Sequence, residues 1–134
     1  MIVDTSVLIA ILREEPDAES YVGALLMEKG RTLLSAANYL EAAIVIDGHR
    51  DPVVSRRLDD LLVKTDVRIV EVSVNQSRIA RAAYRDFGKG SGHPAQLNFG
   101  DCFAYALATE RGERLLAKGN DFARTDLRMW SASR

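Results

Sequence analysis

The chain has 134 residues, 47% of them hydrophobic and 28% charged, with a formal net charge of −1. That length suits one domain, burying roughly two-thirds of the surface its unfolded chain exposes. The composition excludes disorder and collagen-like repeats, and the balanced charge argues against a broad basic surface, so any contact with nucleic acid must be local.

The single cysteine, Cys102, excludes an internal disulfide and suits a reducing cytoplasm. Met1-Ile2-Val3-Asp4 leads straight into structure-forming sequence, so no signal peptide is expected. The apolar stretches fall short of the roughly 18 residues of a membrane span.

Met1 to Val3 reads as a short strand stopping at Asp4. Ser6 is a candidate cap for a helix through Leu12, and Pro16 suits the first turn of a second helix with Tyr21, Val22, Leu25 and Leu26 as its apolar stripe and Gly30 as its stop. Thr32 to Leu34 is a second strand. Ser35 caps a helix through Asn38, Glu41 and Ile46. Asp51-Pro52 opens an amphipathic helix with Val54, Leu58, Leu61 and Leu62 on one face. Val67 to Val72 is a third strand, and Ser73 with Gln76 matches a capping box ahead of Ile79, Ala80, Ala83, Tyr84 and Phe87.

The stretch from Gly88 to Gln96 carries glycines at 88, 90 and 92 and a proline at 94, which marks a candidate mobile loop. Helix signals resume at Leu97 to Asp101 and end near Gly112. Arg114 to Ala117 is a fourth strand and Asp126 to Trp130 a possible fifth. Strands alternating with helices predict a three-layer α/β domain around a mostly parallel sheet of about four to five strands. In such sheets the site lies beyond the carboxyl ends of the strands.

That rule gives the acidic residues meaning. Asp4 stands where the first strand ends, although a plain helix cap explains it equally well. Glu41 lies in Ala36 to Ile46, apolar on nearly every side, where an unpaired carboxylate is costly and calls for a cation or a proton, the alternative being a surface glutamate on a narrow polar strip. Asn38 lies one turn earlier on the same face and is placed to assist. Asp101 follows Asn98 by three residues, so it reads as a capping-box partner, a role compatible with holding a metal. Asp121, in Lys118-Gly119-Asn120-Asp121-Phe122, reads equally well as a turn residue. Carboxylates converging on one cleft repel one another unless protons or cations sit among them. With no His or Cys ligand spacing, oxygen donors favour Mg²⁺ or Mn²⁺.

At these residues the sequence resembles the PIN-domain ribonucleases, and among them the VapC toxins of bacterial toxin–antitoxin pairs. The resemblance rests on Met1 to Ser6, Ser35 to Ile46, Leu97 to Ala108 and Leu115 to Leu127, in the family's order. It implies a PIN-like fold over residues 1–134 and a Mg²⁺- or Mn²⁺-dependent endoribonuclease cutting transfer or ribosomal RNA. It implies that Asp4, Glu41 and Asp101 bind the metal, with Thr5 or Ser6 orienting the site. The family's late acidic segment is only partly kept: Gly119 stands at one acidic position, leaving Asp121, or less well Asp126, as the fourth acid. A homodimer and a cognate antitoxin laid across the cleft are implied as well. Leu12, Tyr21 and Leu25 are candidates for the antitoxin groove, although core packing explains them equally.

Other residues read plainly. His49 and His93 suit surface positions, Cys102 a buried one, and Trp130 a packed one. Arg56, Arg57, Lys89, Lys118 and Arg124 are candidate phosphate contacts or ordinary surface charges. Two other classes compete with the nuclease. A phosphoacceptor receiver-like domain would use Asp4 with a late lysine such as Lys118, and a non-catalytic RNA-binding scaffold would need no metal.

Overall fold

The computed structural model describes residues 1–132. Its elements in chain order are β1 (Ile2–Val3), α1 (Thr5–Leu12), α2 (Ala18–Met27), β2 (Thr32–Ser35), α3 (Ala36–Asp47), α4 (Pro52–Lys64), β3 (Val67–Val70), α5 (Val74–Phe87), α6 (Phe99–Arg111) and β4 (Leu115–Leu116), then a 3₁₀ turn (Phe122–Arg124). The strands form one parallel sheet in the order β3-β2-β1-β4. The expected fifth strand is reduced to one bridge, Leu115 to Met129, closed by Leu115 N–H on Arg128 O at 3.0 Å and Trp130 N–H on Leu115 O at 2.8 Å.

Alternation along the central strands divides the core. Val3, Leu34 and Leu116 face α1 to α4, where Leu8, Leu25, Ile46 and Leu58 close one layer. Ile2 and Leu115 face α5 and α6, where Ala83, Tyr105 and Leu107 close the other. Among the described residues no helix is long and apolar enough to cross a membrane.

Most helix starts follow from their caps. Ser35 accepts from Ala37 N–H at 3.3 Å and Asp51 from Val53 N–H at 2.9 Å, with Pro52 opening α4. Ser73 accepts from Gln76 N–H at 3.0 Å, but the Gln76 amide donates to Glu110 at 2.9 Å instead of closing a capping box. The first helix corrects an expectation. Its cap is Asp4, still extended at φ −87° and ψ 155°, whereas Ser6 already lies inside the helix. β1 turns into α1 with a single residue between, so the cap falls on that residue. Pro16 lies in the turn before α2 rather than within it, and Leu26, expected on the apolar stripe, is exposed.

The region Gly88 to Leu97 is tied at its base. Lys89 N–H donates to Leu97 O at 2.9 Å and Leu97 N–H to Phe87 O at 2.8 Å, while Ala95 and Leu97 are fully buried. His93 is not a free surface residue: its ring meets Phe87 edge-on at 4.9 Å and Nδ1 accepts from Ala95 N–H at 3.0 Å. Leu12 and Leu25 lie in the core, 5% and 0% exposed, so they do not line a groove.

Candidate active site

The strand order reverses direction between β1 and β4, and ligands of open parallel sheets sit at such a switch point. The acids gather there. Asp4 leaves β1 with its N–H on Leu116 O at 3.0 Å and enters α1 at once. Glu41 comes from the middle of α3, and Asp101 from the first turn of α6. With Thr5, Ser6, Val45 and Asn98 they line one cleft of about 210 Å³. A larger concavity, about 670 Å³, is an open, mostly charged dish at the α3–α4 junction that none of these acids lines.

Asp4 is 3% exposed. Its Oδ2 accepts from Ser6 N–H at 3.0 Å, and its Oδ1 is buried without a partner. Burial pushes its pKa up to about 7; the bonds from Ser6 oppose this, and the charges of Asp101 and Glu41 add to it. Asp101 is raised too, by burial first, against the Asn98 bond and with the nearby charges of Glu41 and Asp121; Lys89 partly offsets it. Asp101 closes a full capping box: Oδ2 accepts from Asn98 N–H and its own N–H donates to Asn98 Oδ1, each at 2.9 Å. Cys102 beside it is buried, its thiol pushed up to about 11 by burial and by Asp101.

Asn38 is fully buried at the junction of three helices. Its Nδ2 donates to Gly100 O at 3.0 Å and to Glu41 Oε1 at 3.4 Å, its backbone O accepts from Thr5 Oγ1 at 3.2 Å, and its Oδ1 has no partner. Ser6 Oγ accepts from Lys118 N–H at 2.9 Å, which fixes the segment after β4 against α1. Asp121 in that segment is exposed and within electrostatic reach of Asp101. Asp126 accepts from Tyr105 Oη at 2.6 Å and is not among the residues lining the cleft.

Two features differ from expectation. Glu41 is only half-buried, because α3 is not enclosed on all sides: Leu40 and Ile44 are 57% and 63% exposed. They adjoin the acids in an apolar hollow shared with Phe99 and Phe103. Nor do the acids form a closed cage, for among the described residues no three His, Cys, Asp or Glu side chains converge tightly enough to hold a metal ion as they stand. The donor set still fits a hard cation: all-oxygen, with a buried orphan oxygen on Asp4 and mutual repulsion that a cation relieves.

Three of the basic candidates for phosphate, Arg57, Lys118 and Arg124, are engaged elsewhere. Lys118 Nζ contacts Glu15 at 2.6 Å and Asp17 at 3.2 Å, which removes the lysine a phosphoacceptor site needs. Arg57 pairs with Glu14 and Arg124 donates to Pro94 O. His49 lies on the surface, and Trp130 packs beyond the opposite edge of the sheet.

A parallel sheet carrying these acids at its switch point is the arrangement of a PIN domain, and the PIN domain family matches residues 1–127. The chain is 59% identical over 125 residues to a VapC ribonuclease of Mycobacterium bovis and to ribonuclease VapC28 of Mycobacterium tuberculosis, covering 93% of each chain. It belongs to the VapC ribonuclease family of PIN domains. Among solved structures, VapC20 of M. tuberculosis, described as a sarcin-ricin loop cleaving toxin, superposes with a TM-score of 0.74 at 16% identity over 94% of this chain and 95% of that one. The FitAcB structure from Neisseria gonorrhoeae gives 0.69 at 19% identity over 97% and 96%. These two likenesses bear on the fold.

Proposed function

We propose that this chain, acting as one domain over residues 1–134, is a Mg²⁺- or Mn²⁺-dependent endoribonuclease toxin in the cytoplasm, held in check by a cognate antitoxin. The observation that carries this reading is Asp4: a buried carboxylate with one unpartnered oxygen, beside Glu41 and Asp101, in a chain of the VapC ribonuclease family. Asp4, Glu41 and Asp101 would hold the cation, with Asp121 as an outer acid. A bound divalent ion supplies a water of lowered pKa and neutralises charge on the phosphodiester.

The chain's own groups do the rest. Asn38 steadies Glu41 through its amide, and the Asn98 capping box fixes Asp101 at the positive end of α6. Thr5 and Ser6 lock the first turn of α1 to α3 and to the β4 exit segment. No side chain need act as nucleophile. Lys89, with no ion pair among the described residues and within electrostatic reach of Asp101, is the basic group best placed for RNA phosphate. The exposed apolar face of Leu40, Ile44, Phe99 and Phe103 supports a homodimer with its clefts close to the interface. The antitoxin inhibits by covering the cleft and bringing a basic side chain to the acids.

Cleavage of transfer and ribosomal RNA with and without Mg²⁺ tests this reading. Wild-type protein should cut only with the metal, and Asp101→Asn should abolish cutting while circular dichroism stays native. Cutting in EDTA, or by Asp101→Asn at the wild-type rate, overturns it; a non-catalytic scaffold would cut under neither condition.

A further inference from the structure

Gly100 is the second residue of α6, buried between Phe99 and Asp101. A methyl group built there would overlap Glu41 Oε2 and stand 2.6 Å from its Cδ and 2.8 Å from Oε1. All three nearest atoms belong to one carboxylate, none to backbone. Gly100 also presents its carbonyl to Asn38 Nδ2, the group that donates to Glu41. The Glu41 carboxylate therefore lies in the space where any other residue would carry Cβ, against the positive end of α6.

From this we infer that Gly100 is a positioning residue, its missing side chain forming the seat that holds the Glu41 carboxylate in the cleft. The inference rests on the reading of Glu41 as a metal-holding acid. The energetic asymmetry is informative. The atoms in the way are the far end of a flexible side chain, so Gly100→Ala can be accommodated by swinging that end aside, and alanine is the better helix former. What moves is the functional group itself. Fold stability and metal binding should therefore separate.

The test is Mn²⁺ titration of the full chain by calorimetry, with thermal unfolding of the metal-free protein alongside. Gly100→Ala should weaken Mn²⁺ about 10- to 100-fold, the scale on which supporting residues act on a metal site, with its metal-free Tm unchanged or raised. Gly23→Ala is the control: it also adds a methyl inside a helix, but nothing lies within 4 Å of that position, so Mn²⁺ affinity should stay at the wild-type value. In a Glu41→Ala background Gly100→Ala should cost nothing further, because no carboxylate remains to be displaced. Glu41→Ala weakening Mn²⁺ while Gly100→Ala does not would overturn the seat alone. Equal losses from Gly100→Ala with and without Glu41 would overturn it too. Glu41→Ala binding like wild type would overturn both the seat and the metal role of Glu41.

Discussion

The two edges of the sheet treat charge in opposite ways. At the amino edge Glu28 and Glu113 each have a partner. Glu28 accepts from Trp130 Nε1 at 3.0 Å and from Arg31 at 3.2 Å, and these bonds hold it below the usual carboxylate range. Glu113 pairs with the Met1 ammonium at 3.0 Å. At the carboxyl edge Asp4 is more deeply buried, has one oxygen unpartnered, and is pushed up to about 7. A buried carboxylate oxygen left without a partner, beside two further acids, marks the second end as the place where something external completes the set.

The contrast can be broken most sharply at Asp4. Asp4→Asn keeps the cap acceptor for Ser6 N–H but removes the charge. Cleavage should fall roughly 100-fold or more, the scale of losing one charge-stabilising group, whereas the metal-free protein at pH 8 should unfold at the same or a higher temperature. A parallel loss of activity and stability would make Asp4 a structural residue. Asp121→Asn should reduce cleavage less, because water screens an exposed carboxylate. Asp126→Asn, turned toward Tyr105, should leave cleavage unchanged.

The pH dependence follows from the raised Asp4. Its pKa in the unfolded chain is near 3.8 and in the folded chain about 7. The native state thus holds the proton more tightly. The stability this contributes is fully present below the unfolded value and is lost as pH rises through the folded one. Without metal, Tm should therefore fall between about pH 5 and pH 8. A cation relieves the same repulsion, so the rise in Tm on adding Mg²⁺ should be larger at the higher pH; at 100 times Kd the stabilisation is about 2.7 kcal/mol. A Tm insensitive to Mg²⁺ at both pH values would count against a shared cation. At the amino edge the effect is on stability alone: Trp130→Phe removes the donor to Glu28 and should cost about 1 kcal/mol with cleavage retained.

Local signals in the sequence carried much of the fold. Ser35, Asp51-Pro52, Ser73 and Asn98 each begin a helix because a short acceptor side chain meets an orphan N–H, an interaction within a few residues. The placing of Asp4 and Asp101 was legible too, since residues at strand ends and helix starts of a parallel sheet meet at its carboxyl edge; Glu41, in the middle of α3, stood out by its apolar surroundings and by the family resemblance. What escaped depended on neighbours distant in sequence. Leu40 and Ile44 are as apolar as Ala42 and Ile46, so composition alone cannot separate an exposed apolar face of α3 from its buried one. Ser6 looked like a cap, but its hydroxyl accepts from Lys118, 112 residues away. Gly100 gave no signal, because the clearance it provides exists only once α3 lies against α6.

The most direct measurement is a crystal grown with Mn²⁺ and read by its anomalous scattering. One strong peak should lie in the cleft with oxygens of Asp4 and Asp101 about 2.0–2.3 Å away and Glu41 directed at the same ion. At saturating Mn²⁺, a peak elsewhere on the molecule, or a cleft with no peak, would contradict the shared cation on which the nuclease reading stands.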